Sequence, residues 1–280
     1  MKKYLNIKGS LIDFDSPLVM GIVNVTPDSF YSDSQQQTEE AVLSRCRQIL
    51  DEGGAIIDIG AQSTAPTSNF LSAEEESARL MPALEVVRKE FPSAVLSVDT
   101  FYAEIAKRAV LDFGVDIIND ISGGQIDENM FPAVAELNVP YILTHICGTP
   151  QTMQQFTHYD NFISDFLYYF SEKINRLNHL GVKDIIIDPG FGFSKTVEQN
   201  YELMAYLKYL DIFESPLLVG ISRKSMIYKC LGTTPEESLN GTTALNAAAL
   251  LSGADILRVH DVKEAVECVR IVTKINQFDK

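Results

Sequence analysis

The chain has 280 residues, 46% of them hydrophobic and 22% charged, which is enough apolar material for a sizeable globular core. Its formal charge of −15 argues against nucleic acid and anionic membranes as partners, because the summed negative field repels both. A small anionic substrate is not excluded, since local cations and helix N-termini reverse the potential.

Residues 4–12 alternate loosely around Gly9-Ser10 and predict a small hairpin ahead of the main fold. Residues 20–23 read as a buried strand that ends on Asn24 and opens into the polar loop Thr26-Pro27-Asp28-Ser29. A helix over 38–52 carries Val42, Ile49 and Leu50 on one side and stops at Gly53-Gly54. Residues 55–59 predict the second strand, 60–70 a loop rich in Ser, Thr and Pro, and Ser72-Ala73-Glu74-Glu75 the N-cap of a helix to about Glu90. The unit then repeats. Strands are expected at 95–98, 115–118, 141–143, 185–187, 217–220 and 256–259, with helices over 102–113, 130–137, about 160–180, 197–210 and 262–275.

Strands without polar alternation are buried on both faces, as in a parallel sheet. Eight βα units in about 250 residues is the count of a (β/α)8 barrel. The expected fold is therefore α/β, a single TIM barrel domain over 1–280 with a short N-terminal hairpin. A doubly wound open sheet would gather its site at one switch point instead of ending nearly every strand on a polar residue. Cys46, Cys147, Cys230 and Cys268 form no C-x-x-C pair and read as reduced thiols. Lys2-Lys3 precedes no apolar signal core and no stretch approaches a membrane span, so a cytoplasmic protein is expected.

The carboxyl ends of barrel strands converge on one mouth. Here that mouth is expected to collect Asn24, Asp58, Asp99, Asn119, His145, Asp188, Lys224, Arg258 and His260. Asp99, Asn119 and Asp188 suit a flat heterocycle with amino and ring N–H donors on one edge, and Lys224 suits its carbonyl or a ring nitrogen. The plainer reading makes Asp99-Thr100 a helix cap and Asp188-Pro189 a turn. Arg258 and His260, with Ser63-Thr64, are phosphate-binding groups beside loops where barrels hold phosphate. Against that stands an ion pair of Arg258 with Asp261 or another mouth carboxylate. Asn24 offers an oxygen to Mg²⁺, which favours oxygen ligands and substrate phosphates. In the run from Pro189 to Lys195, Phe193 presents an apolar face to an aromatic partner, while Lys195 stands where a dinucleotide fingerprint needs its third glycine. His158 and His179 are expected at the surface, and Tyr168-Tyr169-Phe170 in helix packing.

In order along the chain, these segments match a known pattern: residues 21–30 (GIVNVTPDSF), Asp58-Ile59-Gly60, Ser63-Thr64 with Pro66, Ser97-Val98-Asp99-Thr100 and Asn119 to Gly124. The match continues through His145, Gly148-Thr149-Pro150, Asp188 to Phe193, Gly220 to Ser225 and Arg258 to Asp261. With them the chain resembles the dihydropteroate synthase family from end to end. The resemblance implies joining of p-aminobenzoate to the hydroxymethyl carbon of a dihydropterin diphosphate, giving 7,8-dihydropteroate and pyrophosphate for folate synthesis. It implies Asp99, Asn119, Asp188 and Lys224 at the pterin, and Asn24, Ser63, Thr64, Arg258 and His260 with Mg²⁺ at the diphosphate. It places Thr64, Pro66, Phe193, Ser222 and Lys224 around p-aminobenzoate, and it implies a sulfonamide target and a homodimer. Diphosphate would leave first, from a site centred on Asn24, Lys224, Arg258 and His260, and the aniline nitrogen would attack the resulting cation. No side-chain nucleophile is needed, and none is evident.

Three departures stand out. The family's Glu-Ser-Thr-Arg-Pro-Gly is here Gln62-Ser63-Thr64-Ala65-Pro66-Thr67, without the arginine. His-Met-Gln-Gly is here His145-Ile146-Cys147-Gly148, and the first loop lacks its usual glycine pair. The competing readings are a methyltetrahydrofolate-dependent methyltransferase, which leaves Arg258-x-His260 unexplained, and a non-catalytic pterin-binding paralogue.

Overall fold

A computed structural model describes residues 3–25, 35–62 and 70–278. The chain starts with an antiparallel hairpin, β1 (Tyr4–Ile7) and β2 (Ser10–Asp13), turning at Lys8 and Gly9, both at positive φ. That backbone matches the twist of a two-residue hairpin loop. There follow β3 (Leu18–Asn24), α1 (Gln35–Asp51), β4 (Ile56–Gly60), α2 (Ala73–Glu90), β5 (Val95–Asp99) and α3 (Ala103–Phe113). Next come β6 (Ile117–Asp120), α4 (Met130–Leu137), β7 (Tyr141–Thr144), α5 (Phe162–His179), β8 (Ile185–Asp188) and α6 (Val197–Tyr206). The chain closes with β9 (Leu218–Val219), α7 (Ser225–Leu231), α8 (Leu239–Leu251), β10 (Ile256–Val259) and α9 (Val262–Asn276).

Strands β3 to β10 form one parallel sheet in the order β8-β7-β6-β5-β4-β3-β10-β9. The ring closes between its two end strands by a single bridge, Ile187 to Leu217, where the Ile187 N–H donates to the Pro216 carbonyl at 2.9 Å. This is the expected barrel. Two local differences appear. The segment expected as one helix over 197–210 tightens into a 3₁₀ stretch, Leu207–Phe213, after α6. The β9–β10 connection carries two helices, because Gly232 in the left-handed region ends α7 and a turn precedes α8.

Alternation along each strand sorts the side chains. Ile57, Ile59, Leu96, Val98, Ile118, Leu143, Ile187, Leu257 and Val259 face the helices and form the main core. Met20, Ile56, Ile117, Ile142, Ile186, Leu218 and Ile256 point into the barrel, and Leu5 and Ile7 of the hairpin cap that layer from below. Above it the same inward parity brings Asp58, Asp99, Asn119, Asp188 and Arg258 to the carboxyl end. Apolar filling below and polar filling above follow from one period-2 pattern.

The helices are set by local chemistry. Ser72 and Glu75 form a reciprocal capping box at the start of α2, with the Glu75 N–H donating to Ser72 Oγ at 3.2 Å. Gly114, at φ 61°, ends α3.

Candidate active site

Asp58 lies at the centre of the polar layer. It is fully buried in β4, and its Oδ2 accepts from Arg258 Nε at 2.6 Å and from Asn119 Nδ2 at 3.1 Å. Arg258 also donates from Nη2 to Asp99 Oδ2 at 2.7 Å. One guanidinium therefore ties β10 to β4 and β5 through charge-assisted bonds, each worth about 1.5–3 kcal/mol where well made. Asp58 Oδ1, Asp99 Oδ1 and Asn119 Oδ1 are buried without a hydrogen-bond partner among the described residues. Such acceptors are costly unless a donor reaches them.

On the other side, Asp188 ends β8 and accepts the Gly190 N–H at 2.8 Å through Oδ1. Lys224, at the N-terminus of α7, donates to the Phe191 carbonyl at 2.5 Å and holds its ammonium 4.6 Å from the Phe193 ring centroid. Burial lowers Lys224 to about 8, with Asp188 and Asp99 opposing the fall and Arg258 adding to it. Burial raises Asp99 to about 7 against the pull of Arg258, with Asp58, Glu76 and Asp120 adding to the rise. Burial also raises Asp188, and Lys224 is the main opposing cation. Arg258 loses by burial but is held above its ordinary value by Asp58 and Asp99, so the guanidinium stays charged. Both carboxylates share this one guanidinium.

His260 and Ser222 form a third corner. Ser222 Oγ lies 3.1 Å from His260 Nδ1 and accepts the His260 N–H at 3.2 Å. Desolvation, then the cations Arg258, Arg223 and Arg45, pull His260 down to about 4 against Asp261. The imidazole is thus neutral at ordinary pH and ready to donate to an anion. Between Ser222 and Lys224, Arg223 adopts φ 56°, a backbone conformation that costs a non-glycine residue about 1–3 kcal/mol. It is held there by a bidentate pair with Asp261 (2.9 and 2.8 Å) and by donation to the Pro235 and Glu236 carbonyls.

Asn24 ends β3 with its carboxamide exposed. Ser63, Thr64 and Pro66, with the departure Ala65, lie outside the described residues, as does the loop 26–34.

One expectation needs correction. His145 does not face the mouth. It follows Thr144 on the outward parity of β7, and its ring packs at 4.7 Å from Phe166 and 4.6 Å from Tyr169 of α5, with Nδ1 3.0 Å from Lys195 Nζ. The alternative reading of Arg258 as an ion pair also has a concrete form, since its partners are Asp58 and Asp99, whereas Asp261 belongs to Arg223. Tyr169 packs as expected and donates to the Thr144 carbonyl at 2.8 Å, and His158 and His179 are exposed.

Two groups escaped the sequence reading. Glu76, in α2, is fully buried and accepts Gln62 Nε2 at 2.6 Å, while Gln62 also donates to the Leu71 carbonyl and accepts the Leu71 N–H. Burial raises Glu76 to about 7. Lys195 is buried behind the Asp188 loop. A helix N-terminus rich in acids hides the first, and only the failed glycine position marked the second.

Residues 20–260 match the pterin-binding enzyme family. The chain is 39% identical over 267 residues to the dihydropteroate synthase of Escherichia coli strain K12, covering 95% of this chain and 94% of that protein. It superposes on the Yersinia pestis dihydropteroate synthase solved with a sulfonamide drug at TM-score 0.89, with 38% identity over 99% of this chain and 100% of that one. The Xanthomonas albilineans dihydropteroate synthase bound to 4-aminobenzoic acid gives TM-score 0.89 and 34% identity, covering 99% of each chain.

Proposed function

Because this chain belongs to the pterin-binding enzyme family, we propose that it works as its dihydropteroate synthase relatives are named to do, as a transferase of folate biosynthesis. The substrates are 6-hydroxymethyl-7,8-dihydropterin diphosphate and p-aminobenzoate. The observation that carries the reading is the pair of buried acceptors Asp99 Oδ1 and Asn119 Oδ1, which have no hydrogen-bond partner among the described residues, with the cation Lys224 close to Asp99. A pterin edge supplies the donors those oxygens lack, Asp188 accepts from the same ring system, and Lys224 donates to its carbonyl or ring nitrogen.

The reaction needs an ordered slot and a stabilised leaving group. The bond from the pterin methylene carbon to the diphosphate oxygen breaks with its electron pair going to the diphosphate. The Arg258 guanidinium and the neutral His260 imidazole, with Asn24 and the segment of Ser63 and Thr64, receive that charge. The acceptors Asp99, Asn119 and Asp188 stabilise the cation left on the pterin. The p-aminobenzoate nitrogen then forms the new C–N bond and releases a proton. Its ring lies against the Phe193 face and the Lys224 stem, with its carboxylate toward Ser222.

Among the described residues no three His, Cys, Asp or Glu side chains converge as a metal cage. Asn24 alone offers a single oxygen, a donor set suited to a Mg²⁺ ion held mainly by diphosphate and water. Bound there, Mg²⁺ would neutralise leaving-group charge. Residence in the cytoplasm, a homodimer and inhibition by sulfonamides belong to the same proposal. No helix among the described residues is long and apolar enough to cross a membrane, and the Yersinia pestis relative was solved with a sulfonamide drug.

The test is Mg²⁺-dependent pyrophosphate release from the dihydropterin diphosphate, with and without p-aminobenzoate, followed together with dihydropteroate. Coupled release and product formation are expected. Tight pterin binding without either would replace this reading with a non-catalytic pterin-binding protein.

A further inference from the structure

The segment after β8 has an unusual path. Gly190, Gly192 and Ser194 all adopt positive φ (64°, 83° and 51°), so the chain reverses at every second residue. A Cβ at Gly190 would run into the His145 carbonyl oxygen, which shows how closely this loop lies on the one after β7. The two are joined at successive points. The Cys147 N–H donates to Ser194 Oγ at 2.8 Å, Ser194 Oγ to the Cys147 carbonyl at 2.8 Å, and Tyr159 Oη to the Ser194 carbonyl at 2.8 Å.

At the centre is Lys195, 3% exposed. Its Nζ contacts the Gly190 carbonyl at 3.0 Å, the Phe193 carbonyl at 2.9 Å and His145 Nδ1 at 3.0 Å. An ammonium has three protons and no acceptor, so three acceptors match it completely. The match fixes His145 as the tautomer with an unprotonated Nδ1, and burial with the nearby Lys195 keeps that ring neutral by pulling it well below its ordinary value. The pair has no route to the mouth of its own, because His145 faces α5. What it touches is the Gly190 carbonyl just before Phe191, whose own carbonyl receives Lys224, and the carbonyl of Phe193, whose ring Lys224 faces.

We propose that Lys195 is a positioning residue for p-aminobenzoate: seated on Gly190, Phe193 and His145, its ammonium holds the 189–195 segment so that Phe193 and the Lys224 stem form the aromatic slot. This rests on the reaction proposed above. Lys195 touches no reacting atom and acts through the backbone it holds.

Protonation gives a signature that simple packing lacks. Burial lowers Lys195 to about 7. The charged or titratable groups around the pair are Asp188 from β8, His145 and Cys147 from the loop after β7, Tyr159 ahead of α5, Tyr169 and Lys173 of α5, and Lys224 from the loop after β9; burial holds both tyrosines above their ordinary range. Above pH 7 the amine keeps two protons for three acceptors, and the segment loosens.

The experiment measures kcat and the KM for p-aminobenzoate from pH 6 to 8 in the wild type and in Lys195→Met. In the wild type the KM should rise severalfold across this range with a midpoint near pH 7. In Lys195→Met it should be at least tenfold higher at pH 6 and lack the rise centred near pH 7, with kcat changed less than the KM. A KM within twofold of wild type, or an unchanged pH profile in the variant, overturns the proposal. Should Lys195→Met fail to fold, ¹⁵N NMR of the wild-type protein decides. A slowly exchanging Lys195 ammonium and an unprotonated His145 Nδ1 at pH 6 are expected, and a fast-exchanging ammonium overturns the staple. If the wild type makes no dihydropteroate, the proposed reaction fails by itself, and the same NMR experiment still decides whether the staple exists.

Discussion

Asp99 and Lys224 both lie at the carboxyl end of the barrel, in the proposed pterin site, and each is displaced from its ordinary titration toward neutrality. Asp99 is raised to about 7, so below that pH it gains a proton and loses an acceptor. Lys224 is lowered to about 8, so above that pH it loses charge and a donor. The kcat/KM for dihydropterin diphosphate should therefore be bell-shaped, falling below about pH 7 and above about pH 8, as steady-state rates across pH 5–10 would show. In Lys224→Met the alkaline limb should disappear together with most of the activity. Ala65 makes a second prediction at this scale, from sequence alone. Ala65→Arg restores the arginine of the family's loop sequence and should raise kcat or lower the substrate KM, and no change in either would count against a weakened loop. Most of these residues were legible from strand ends plus residue chemistry. His145 was not, because a polar residue at a strand end faces inward or outward according to a parity that one added position reverses. Asp58 was visible at the mouth, but its place at the centre depends on the reach of Arg258 from the far side of the ring.

At the scale of elements, strand positions were read closely because apolar runs bounded by turn residues are short and unambiguous here. Boundaries failed where two conformations compete, as where α6 passes into a 3₁₀ stretch, or where a connection doubles its helices after β9. That connection also carries Lys224, and Arg223 is the residue that fixes it. Arg223→Ala would remove the bidentate pair with Asp261 and the strain at φ 56° would be held by fewer bonds. Both partners are partly exposed, so the loss should be about 1–3 kcal/mol, below that of a fully buried pair. Urea unfolding would measure it. Activity should fall further than stability alone explains, because Ser222 and Lys224 flank the site of the change.

For the molecule as a whole, buried carboxyls set how stability follows pH. Glu76 has an ordinary value of 4.5 and rises to about 7 when buried in the folded protein. A folded value above the unfolded one means that its contribution is complete below pH 4.5 and is lost as pH rises through 7. Asp99 has the same sign. Lys195, lowered to about 7, acts in the opposite sense at higher pH. Glu76→Gln should remove its share of the alkaline loss, giving a gain of about 1–3 kcal/mol at pH 8 and little change at pH 4. Chemical denaturation at the two pH values checks it.

The ring of strands is joined unevenly, with full ladders around most of its circumference and one bridge between Ile187 and Leu217. Asp188 follows one lip of that seam and Lys224 the other, and the bond from Lys224 to the Phe191 carbonyl already spans it. A pterin gripped by both side chains would lace the cylinder shut like a stitch across a slit. Binding should then slow deuterium uptake at the Ile187 amide more than at amides in β4 or β5, so that the substrate itself completes the wall that holds it.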